Sequence, residues 1–293
     1  MKKVPLIFDC DNTLGIQGCD IDDGMTLLYL LGSEEVDLLG VTCSYGNNQQ
    51  DVVYENTVRL LKDWQRENIP VFKGCAKGED RHSEAAKFLA ETAEKTEDLH
   101  LLVTGSCGNL LGAQEINPNF FQKIKQASFM GGVTGPFYVN NVSMDELNFS
   151  CDPEASYAAL SQIPKVRIAT APNCLQSYFL KEDFLERVKA TDHPVAEYLV
   201  REIAYWYELH ETKWKLSGIV NWDVMAAAQL LHPELFNLNQ DLITPTVDSL
   251  SQGLLFSQGQ DIQVELPSIR SLKDYLDHVY SRYFNAQVLN WQI

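Results

Sequence analysis

The chain has 293 residues, enough to bury a sizeable core, and its formal net charge is −17. That charge argues against a nucleic-acid polymer as a partner, because Lys and Arg supply most of the affinity for phosphates. The N-terminal segment is too poor in apolar residues to be a secretory signal, and no stretch reaches the roughly 18 apolar residues of a membrane span. Together with seven scattered cysteines that form no C-x-x-C pair, this predicts a cytoplasmic protein that acts on a small molecule, without a membrane partner.

Short apolar runs alternate with segments whose apolar residues recur every three or four positions, which is typical of βαβ units. The predicted strands cover residues 4–9, 37–43, 69–74, 99–105, 127–132 and 165–170. The predicted helices cover residues 22–31, 51–64, 83–95, 108–116, 152–163, 193–210 and 222–231. Near the C-terminus, residues 245–250, 253–258 and 261–266 are predicted as antiparallel strands before a final helix over 271–284. We therefore expect an α/β fold with an open, mainly parallel sheet, a small C-terminal antiparallel addition, and one domain over residues 1–293.

Polar residues gather where predicted strands end and predicted helices begin, which is the edge where parallel sheets bind ligands. The residues at these positions are Asp9, Asp11, Asn47, Thr104 and Met130 after strands, and Asp22, Asp23 and Asp223 near helix starts. An Asp at a helix start also serves as an N-cap, so no one of them alone defines a site. However, the four carboxylates Asp9, Asp11, Asp22 and Asp23 fall within fifteen residues, and their repulsion is offset most simply by a hard divalent cation such as calcium.

The stretch LIFDCDNTLG resembles the first motif of haloacid-dehalogenase-type phosphatases, in which Asp9 would be the nucleophile and Asp11 the acid/base. Such a phosphatase also needs a later Lys and a later acidic pair to bind Mg²⁺. The only Asp-Asp pair in the sequence is at positions 22 and 23, too early for that role. The phosphatase is therefore the weaker alternative.

The sequence more closely resembles the inosine-uridine-type nucleoside hydrolases, whose N-terminal signature is Asp-x-Asp followed by an Asp-Asp pair. The matching segments are LLGVTCSYGNN, LLVTGSCGNLLGA, ASFMGG, ELNFSCDPEAS and NWDVMAAAQLLHPELF. This resemblance implies a Rossmann-like nucleoside hydrolase fold, a homodimer or homotetramer, and calcium-dependent hydrolysis of the N-glycosidic bond of ribonucleosides to free base and ribose. Such a reaction passes through a cationic ribosyl transition state, which a carboxylate-rich site stabilises.

The resemblance also implies a role for individual residues. Calcium would be held by Asp11, Asp23, Asp223 and the backbone carbonyl of Thr104, and Asp11 would be the general base that activates a water at the metal. The residues implied to bind the substrate are Asp22, Asn47, Met130, Asn140, Glu146 and Asn148 at the ribose, with Trp222 at the base.

The chain departs from the family pattern at two positions that affect these expectations. Ten residues separate Asp11 from Asp22, where the family usually has three, so this insertion must loop out. Asp20 within it is expected to be a solvated loop charge. Trp222 stands where many members have a His, which resembles the purine-preferring branch and predicts stacking of a purine on the indole.

The walls of the pocket leave further alternatives open. The segment AKGEDRHSE at 76–84 replaces a longer active-site loop of the family. Residues 204–218, AYWYELHETKWKLSG, either form a mobile aromatic lid or pack as an ordinary helix on the core. If the insertion and the shortened loop abolish catalysis, the chain would instead be a nucleoside-binding or ribose-binding protein on the same fold.

Overall fold

The computed structural model describes residues 2–77, 81–286 and 288, so residues 78–80 of the shortened loop and the chain ends of the expected domain lie outside it. The strands are β1 (Val4–Cys10), β2 (Val36–Cys43), β3 (Val71–Lys73), β4 (Leu99–Val103), β5 (Ile124–Met130), β6 (Tyr138–Val139), β7 (Val142–Ser143), β8 (Val166–Ala169), β9 (Tyr178–Leu180), β10 (Gly218–Val220), β11 (Phe236–Asn237), β12 (Gln240–Ile243), β13 (Ile262–Glu265) and β14 (Ser268–Ile269).

Helices alternate with the strands of the main sheet. They are α1 (Asp22–Leu31), α2 (Gln50–Asp63), α3 (Glu84–Lys95), α4 (Gly108–Ile116), α5 (Phe120–Lys123), α6 (Asn148–Cys151), α7 (Pro153–Gln162), α8 (Ala171–Cys174), α9 (Lys181–Lys189), α10 (Val195–Leu209), α11 (Trp222–Leu231), α12 (Val247–Leu250) and α13 (Leu272–Tyr283). A π-helical segment (His210–Trp214) continues α10, and a 3₁₀ turn (Pro233–Leu235) follows α11.

Among the described residues, eight strands form the main sheet, in the order β12-β13-β8-β5-β4-β1-β2-β3. Every neighbouring pair is parallel except β12 with β13, which is antiparallel at the edge. The hairpin β6–β7 and the pairs β9–β10 and β11–β14 are small and antiparallel. The predicted α/β class and mainly parallel sheet are confirmed.

Helices cover both faces of this sheet because side chains of a parallel strand alternate between two buried faces. Leu6 and Phe8 of β1 belong to a core shared with Leu28 of α1. Ile7, between them, belongs to a second core shared with Leu89 of α3. The two hydrophobic layers hold β1 rigidly in the middle of the sheet, so the residues after it have a fixed position.

The C-terminal region differs from the prediction in two ways. Residues 245–250 were expected as a strand, but they form the short helix α12, because Thr246 and Ser249 cap each other reciprocally. Residues 253–258 make only isolated bridges, through Leu254 and Phe256. The third expected strand exists as β13, but it pairs in parallel with β8, and its antiparallel partner β12 was not predicted.

Candidate active site

Asp9 lies in β1 near the end of the strand and joins three elements through its carboxylate. Its Oδ2 accepts hydrogen bonds from the hydroxyl of Thr42 on β2 (2.6 Å) and from the side-chain amide of Asn109 on α4 (2.9 Å). Burial raises the pKa of Asp9 to about 7, although both hydrogen bonds lower it. Asp9 has only 1% of its surface exposed. Its buried hydrogen bonds connect β1 to β2 and to α4 near the end of the strand.

Asp11 follows β1 and is fully buried. Asn47 donates to it twice, from the backbone N–H to Oδ2 (2.7 Å) and from the side-chain amide to Oδ1 (3.0 Å). A Cβ at Gly46 would lie 1.9 Å from Asp11 Oδ2, so the chain can approach this closely only with glycine there. Burial raises the pKa of Asp11 to about 6, while the adjacent Asp23 carboxyl and the backbone N–H of Asn47 lower it.

Two helix starts bring three more carboxylates together. Asp22 and Asp23 open α1, Asp223 lies in the first turn of α11, and the two helices pack against each other. Carboxylate oxygens of these three buried residues all lie within 4.8 Å of one another. The positive ends of two helix dipoles favour negative charge here. Burial first, and then the neighbouring carboxylates, raise the pKa of Asp23 and of Asp223.

This carboxylate group fits a divalent metal ion. Thr104 donates its hydroxyl to Asp23 Oδ1 (2.6 Å), whereas Asp23 Oδ2 is buried with no hydrogen-bond partner among the described residues. The side chains that line the adjoining cavity include no Lys or Arg within the described ranges. Repulsion within such a group is relieved by bound protons or by a cation, and oxygen ligands of this kind suit a hard cation.

The converging set differs from the expected ligands at one position. The resemblance implied Asp11, Asp23 and Asp223 with Thr104, but the carboxylates within 4.8 Å of one another include Asp22 and not Asp11. Asn47 holds both oxygens of Asp11, which instead lies against Asp23.

The ten residues between Asp11 and Asp22 form a closed loop. The hydroxyl of Thr13 donates to the backbone carbonyl of Asp20 (2.8 Å), which joins the two ends of the loop. The insertion is therefore closed at its base and does not separate the two carboxylates. This geometry explains how a spacer longer than the family's can serve the same group.

Contacts with two helices hold the insertion in place. The carbonyl of Leu14 accepts hydrogen bonds from Asn56 (3.2 Å) and Arg59 (3.1 Å) on α2. The hydroxyl of Tyr205 on α10 donates to the carbonyl of Cys19 (2.8 Å). The loop is thus packed into the structure on both sides of its tip.

The expectation that Asp20 is a solvated charge is wrong. Asp20 is partly buried and lines the cavity, with its carboxyl in hydrogen-bond contact with that of Asp22. Burial, and next the charge of Asp22, raise the pKa of Asp20. The closure of the loop through Thr13 carries Asp20 inward, which the sequence spacing alone did not reveal.

A cavity of about 190 Å³ adjoins the carboxylate group. The expected site residues that line it are Asp22, Asn47, Thr104, Met130, Glu146, Asn148, Trp222 and Asp223. The remaining lining residues are Asp20, Phe137, Met144, Asp145, Leu147 and Ala171. One part of the wall is rich in carboxylates and amides and another is apolar, which suits a molecule with a polar sugar and a planar ring.

Glu146 and Asn148 are fixed by hydrogen bonds to the backbone. The carboxylate of Glu146 accepts from three backbone N–H groups at 2.8 to 3.1 Å, including that of Gly132. Burial raises the pKa of Glu146, although these N–H groups lower it. The amide nitrogen of Asn148 donates to the carbonyl of Met130 (3.0 Å), which leaves its amide oxygen as the group available to a ligand.

Asn140 is the expected substrate-binding residue that the structure does not bring to the cavity. It occupies the turn between β6 and β7, and its amide donates to the carbonyl of Trp214 (2.8 Å). The hairpin β6–β7 holds Asn140 at its tip, and Asn140 does not line the cavity. Its assignment as a ribose contact is therefore not supported by this geometry.

The aromatic segment 204–218 packs mainly as core. Trp206, Tyr207, His210 and Trp214 are buried, and burial lowers the pKa of His210 to about 4. None of these aromatic side chains lines the cavity in the described structure. Tyr205 contacts the insertion instead. Of the two alternatives, the packed helix is the correct one.

The comparison with known families decides the identity of the chain. The model of the inosine-uridine preferring nucleoside hydrolases matches residues 6–275. The chain belongs to this family. The resemblance seen in the sequence is thereby confirmed, and this nucleoside hydrolase is an N-glycosidase enzyme.

Curated relatives and solved structures agree with this placement. The pyrimidine-specific ribonucleoside hydrolase RihA of Citrobacter koseri is 28% identical over 262 residues, covering 80% of this chain and 81% of its own. The fold is shared with a plant nucleoside hydrolase, PpNRh1 (TM-score 0.81, 21% identity, covering 96% and 98% of the two chains). It is also shared with a purine-preferring ribonucleoside hydrolase from Gardnerella vaginalis (TM-score 0.79, 19% identity, covering 97% and 99%).

In this nucleoside hydrolase, sequence reasoning missed several lining residues, above all Phe137 and Met144. Both flank the hairpin β6–β7. The sequence signal for this hairpin is FYVNNVSM, in which an Asn-Asn pair stands between short β-forming runs.

Across the part of the chain that the structure describes, no helix is long and apolar enough to span a membrane.

Proposed function

We propose that this enzyme hydrolyses the N-glycosidic bond of ribonucleosides to free base and ribose in a calcium-dependent reaction, with a preference for purines. The observation that carries the proposal is the group of Asp22, Asp23 and Asp223 within 4.8 Å, beside a cavity of about 190 Å³. A Ca²⁺ held there would supply positive charge for the ribose hydroxyls and for the attacking water.

The proposed cation ligands are Asp23 and Asp223 of this group, the carbonyl of Thr104, and Asp11, which lies outside the group of three but contacts Asp23. Asp22 is the adjoining carboxylate. All of these ligands are oxygen atoms, and oxygen ligands are what calcium prefers in proteins. The buried, unpaired Oδ2 of Asp23 supports the assignment, because such an oxygen is costly unless a ligand completes it.

Asp11 is the proposed general base. Its two oxygens are held by the backbone and side chain of Asn47, so its position is fixed before substrate binds. Taking a proton from the attacking water generates the nucleophile, while the other carboxylates of the site stabilise the ribosyl cation that develops as the base departs.

The remaining lining residues divide between sugar and base. Asp22, Asn47, Glu146 and Asn148 provide acceptors and amides for the ribose hydroxyls, and Met130 provides an apolar surface for the ring.

Trp222 is the proposed contact for the base. It immediately precedes Asp223 and lines the cavity. Stacking on an aromatic side chain contributes about 1 to 3 kcal/mol per base, and a purine offers the larger face. The Citrobacter koseri relative is named pyrimidine-specific and the Gardnerella vaginalis structure purine-preferring, and the indole at position 222 supports the purine preference proposed for this chain.

The net charge of −17 favours a small nucleoside over a nucleic-acid polymer or an anionic membrane surface as partner. We propose purine salvage or nucleoside catabolism in the cytoplasm as the role, and a homodimer or homotetramer as the assembly.

Base release from inosine, guanosine, adenosine and uridine, measured with and without a calcium chelator, tests this function. Chelator-sensitive release of base is the expected result, and p-nitrophenyl phosphate should not react. If no nucleoside reacts but one raises the melting temperature, the chain is a binding protein and the catalytic proposal is wrong.

Two substitutions test the residue roles. Asp11→Ala should abolish turnover, and full activity in that variant would contradict the assignment of Asp11 as general base. Trp222→Ala should reduce kcat/KM for inosine more than for uridine. An equal loss for both substrates would count against stacking on Trp222.

A further inference from the structure

The hairpin β6–β7 brings two apolar side chains to the cavity. Phe137 and Met144 stand immediately before β6 and immediately after β7, and both line the cavity. The backbone N–H of Met144 donates to the carbonyl of Phe137 (3.0 Å), which pairs the two residues across the open end of the hairpin. They are therefore neighbours in space although six residues separate them in sequence.

The hairpin is held firmly enough to fix these two side chains. Asn140 and Asn141 have φ values of 44° and 63°, as a two-residue type I′ turn requires, and this turn matches the twist of the strands. Val139, paired with Val142, is 5% exposed and packs in the core. At the tip, the Asn140 amide donates to the carbonyl of Trp214 (2.8 Å). The hairpin is thus anchored by its turn, its inner face and its tip.

Phe137 also meets the aromatic residue at the start of α11. Its ring centroid lies 6.2 Å from that of Trp222, with an angle of 80° between the planes. Such edge-to-face pairs are favourable and directional. Trp222 precedes Asp223, so the aromatic pair directly adjoins the carboxylate group. A nucleoside whose sugar binds at the carboxylates has its base within reach of this pair.

Resting on the function proposed above, we infer that Phe137 and Met144 determine the base specificity of this enzyme, together with Trp222. The phenyl ring offers no hydrogen-bonding group, and the thioether is a weak acceptor. They recognise a base through ring and sulfur–aromatic contacts and do not read the pattern of groups on its edge. The enzyme then discriminates by aromatic area and treats the purine nucleosides alike.

Kinetics of four full-length proteins test this inference: wild type, Phe137→Ala, Met144→Ala and the control Tyr138→Ala. Tyr138 belongs to the same hairpin but is 56% exposed. The first two variants should raise KM for inosine about tenfold, raise KM for uridine less, and leave kcat nearly unchanged. Tyr138→Ala should behave as wild type. Free ribose, which carries no base, should inhibit all four proteins with the same constant.

The ribose measurement separates base recognition from a structural role. If Phe137→Ala weakens ribose inhibition as much as it raises KM for inosine, the hairpin supports the sugar site and the inference is wrong. Phe137→Leu keeps an apolar side chain and covers the case in which the Ala variant does not fold. It should also lose the preference for inosine over uridine, and a retained preference would overturn the inference.

The same proteins distinguish a failure of this inference from a failure of the proposed function. If wild type cleaves no nucleoside, thermal protection replaces turnover as the readout. Inosine should then raise the melting temperature of wild type more than ribose does, and this difference should vanish in Phe137→Ala. If the difference persists in the variant, Phe137 does not contact the base.

Discussion

The hydroxyl of Thr13 and the backbone carbonyl of Asp20 are joined by a hydrogen bond of 2.8 Å. This contact closes the insertion on itself and returns the chain to the sheet edge where Asp22 begins α1. The seven residues beyond the family's usual spacing are thereby accommodated without separating Asp11 from Asp22. The bond also carries the side chain of Asp20 into the cavity.

Replacement of Thr13 by Val removes this hydrogen bond with little change of volume. We expect a loss of about 1 kcal/mol in the free energy of unfolding and weaker calcium binding, because Asp22 and Asp23 are no longer held near Asp11. Calorimetric titration with Ca²⁺ and urea unfolding measure the two effects. Gln17→Ala at the exposed tip of the same loop is the control and should change neither. Unchanged calcium affinity in Thr13→Val would show that the closure is dispensable.

Gly46→Ala should inactivate the enzyme. The added Cβ would lie 1.9 Å from Asp11 Oδ2, so the carboxylate or the loop that carries Asn47 must move. Displacement of a catalytic group by about 1 Å lowers turnover by roughly 10²-fold. Steady-state base release measures the loss. Gly135→Ala is the matched control, because a Cβ there meets nothing within 4 Å, and equal activity of the two variants would contradict the prediction.

The stability of the metal-free protein should fall as pH rises from 5 to 8. Burial raises the pKa of Asp11 and of Asp22 to about 6 and that of Asp9 to about 7. A carboxyl whose folded-state pKa is raised stabilises the fold while it is protonated, and that contribution disappears as pH passes the folded-state value. Each such group contributes a slope of up to about 1.4 kcal/mol per pH unit.

Urea unfolding in the presence of a chelator, at several pH values, measures this dependence. Excess Ca²⁺ should flatten it, because the cation favours the ionised carboxylates. Asp9→Asn should remove the part of the slope near pH 7. A metal-free protein that gains stability between pH 5 and 8 would show that the carboxylates are ionised without a cation.

Asp20→Asn should weaken calcium binding several-fold. Asp20 is in contact with Asp22, and removal of one charge at this distance costs about 1 kcal/mol or more of attraction for a cation. The control is Asp145→Asn, which removes the same charge from an exposed residue of the same cavity lining. Isothermal titration of both variants with Ca²⁺ measures the difference. Equal calcium affinities would contradict a specific role for Asp20 and would mean that it acts only through the overall charge of the cavity.

Most of the sheet could be predicted from the sequence because parallel strands leave a strong pattern. The apolar runs at residues 4–9, 37–43 and 99–105 all became strands of the main sheet, and α1, α4 and α11 have the predicted bounds. Prediction failed where local capping competed with β propensity, as at Thr246 and Ser249. It also failed for the hairpin β6–β7, whose strands of two residues each are too short for a periodic signal.

The sequence by itself determined the chemistry: a carboxylate-rich edge, the family, and most of the residues that line the cavity. Residue type and strand position indicated the carboxylate-rich edge, because parallel strands bring their carboxyl ends to one edge. The resemblance to the nucleoside hydrolases implied the family and lining residues such as Glu146, Asn148 and Trp222.

Only the tertiary structure decided which carboxylates converge. It also decided that Asp20 and Phe137 line the cavity and that Asn140 does not. These outcomes depend on single hydrogen bonds between residues distant in sequence, such as Asn140 to Trp214, or across a loop, such as Thr13 to Asp20. Spacing along the chain does not encode such contacts, because a loop of given length can close in many ways and packing against α2 and α10 selects one.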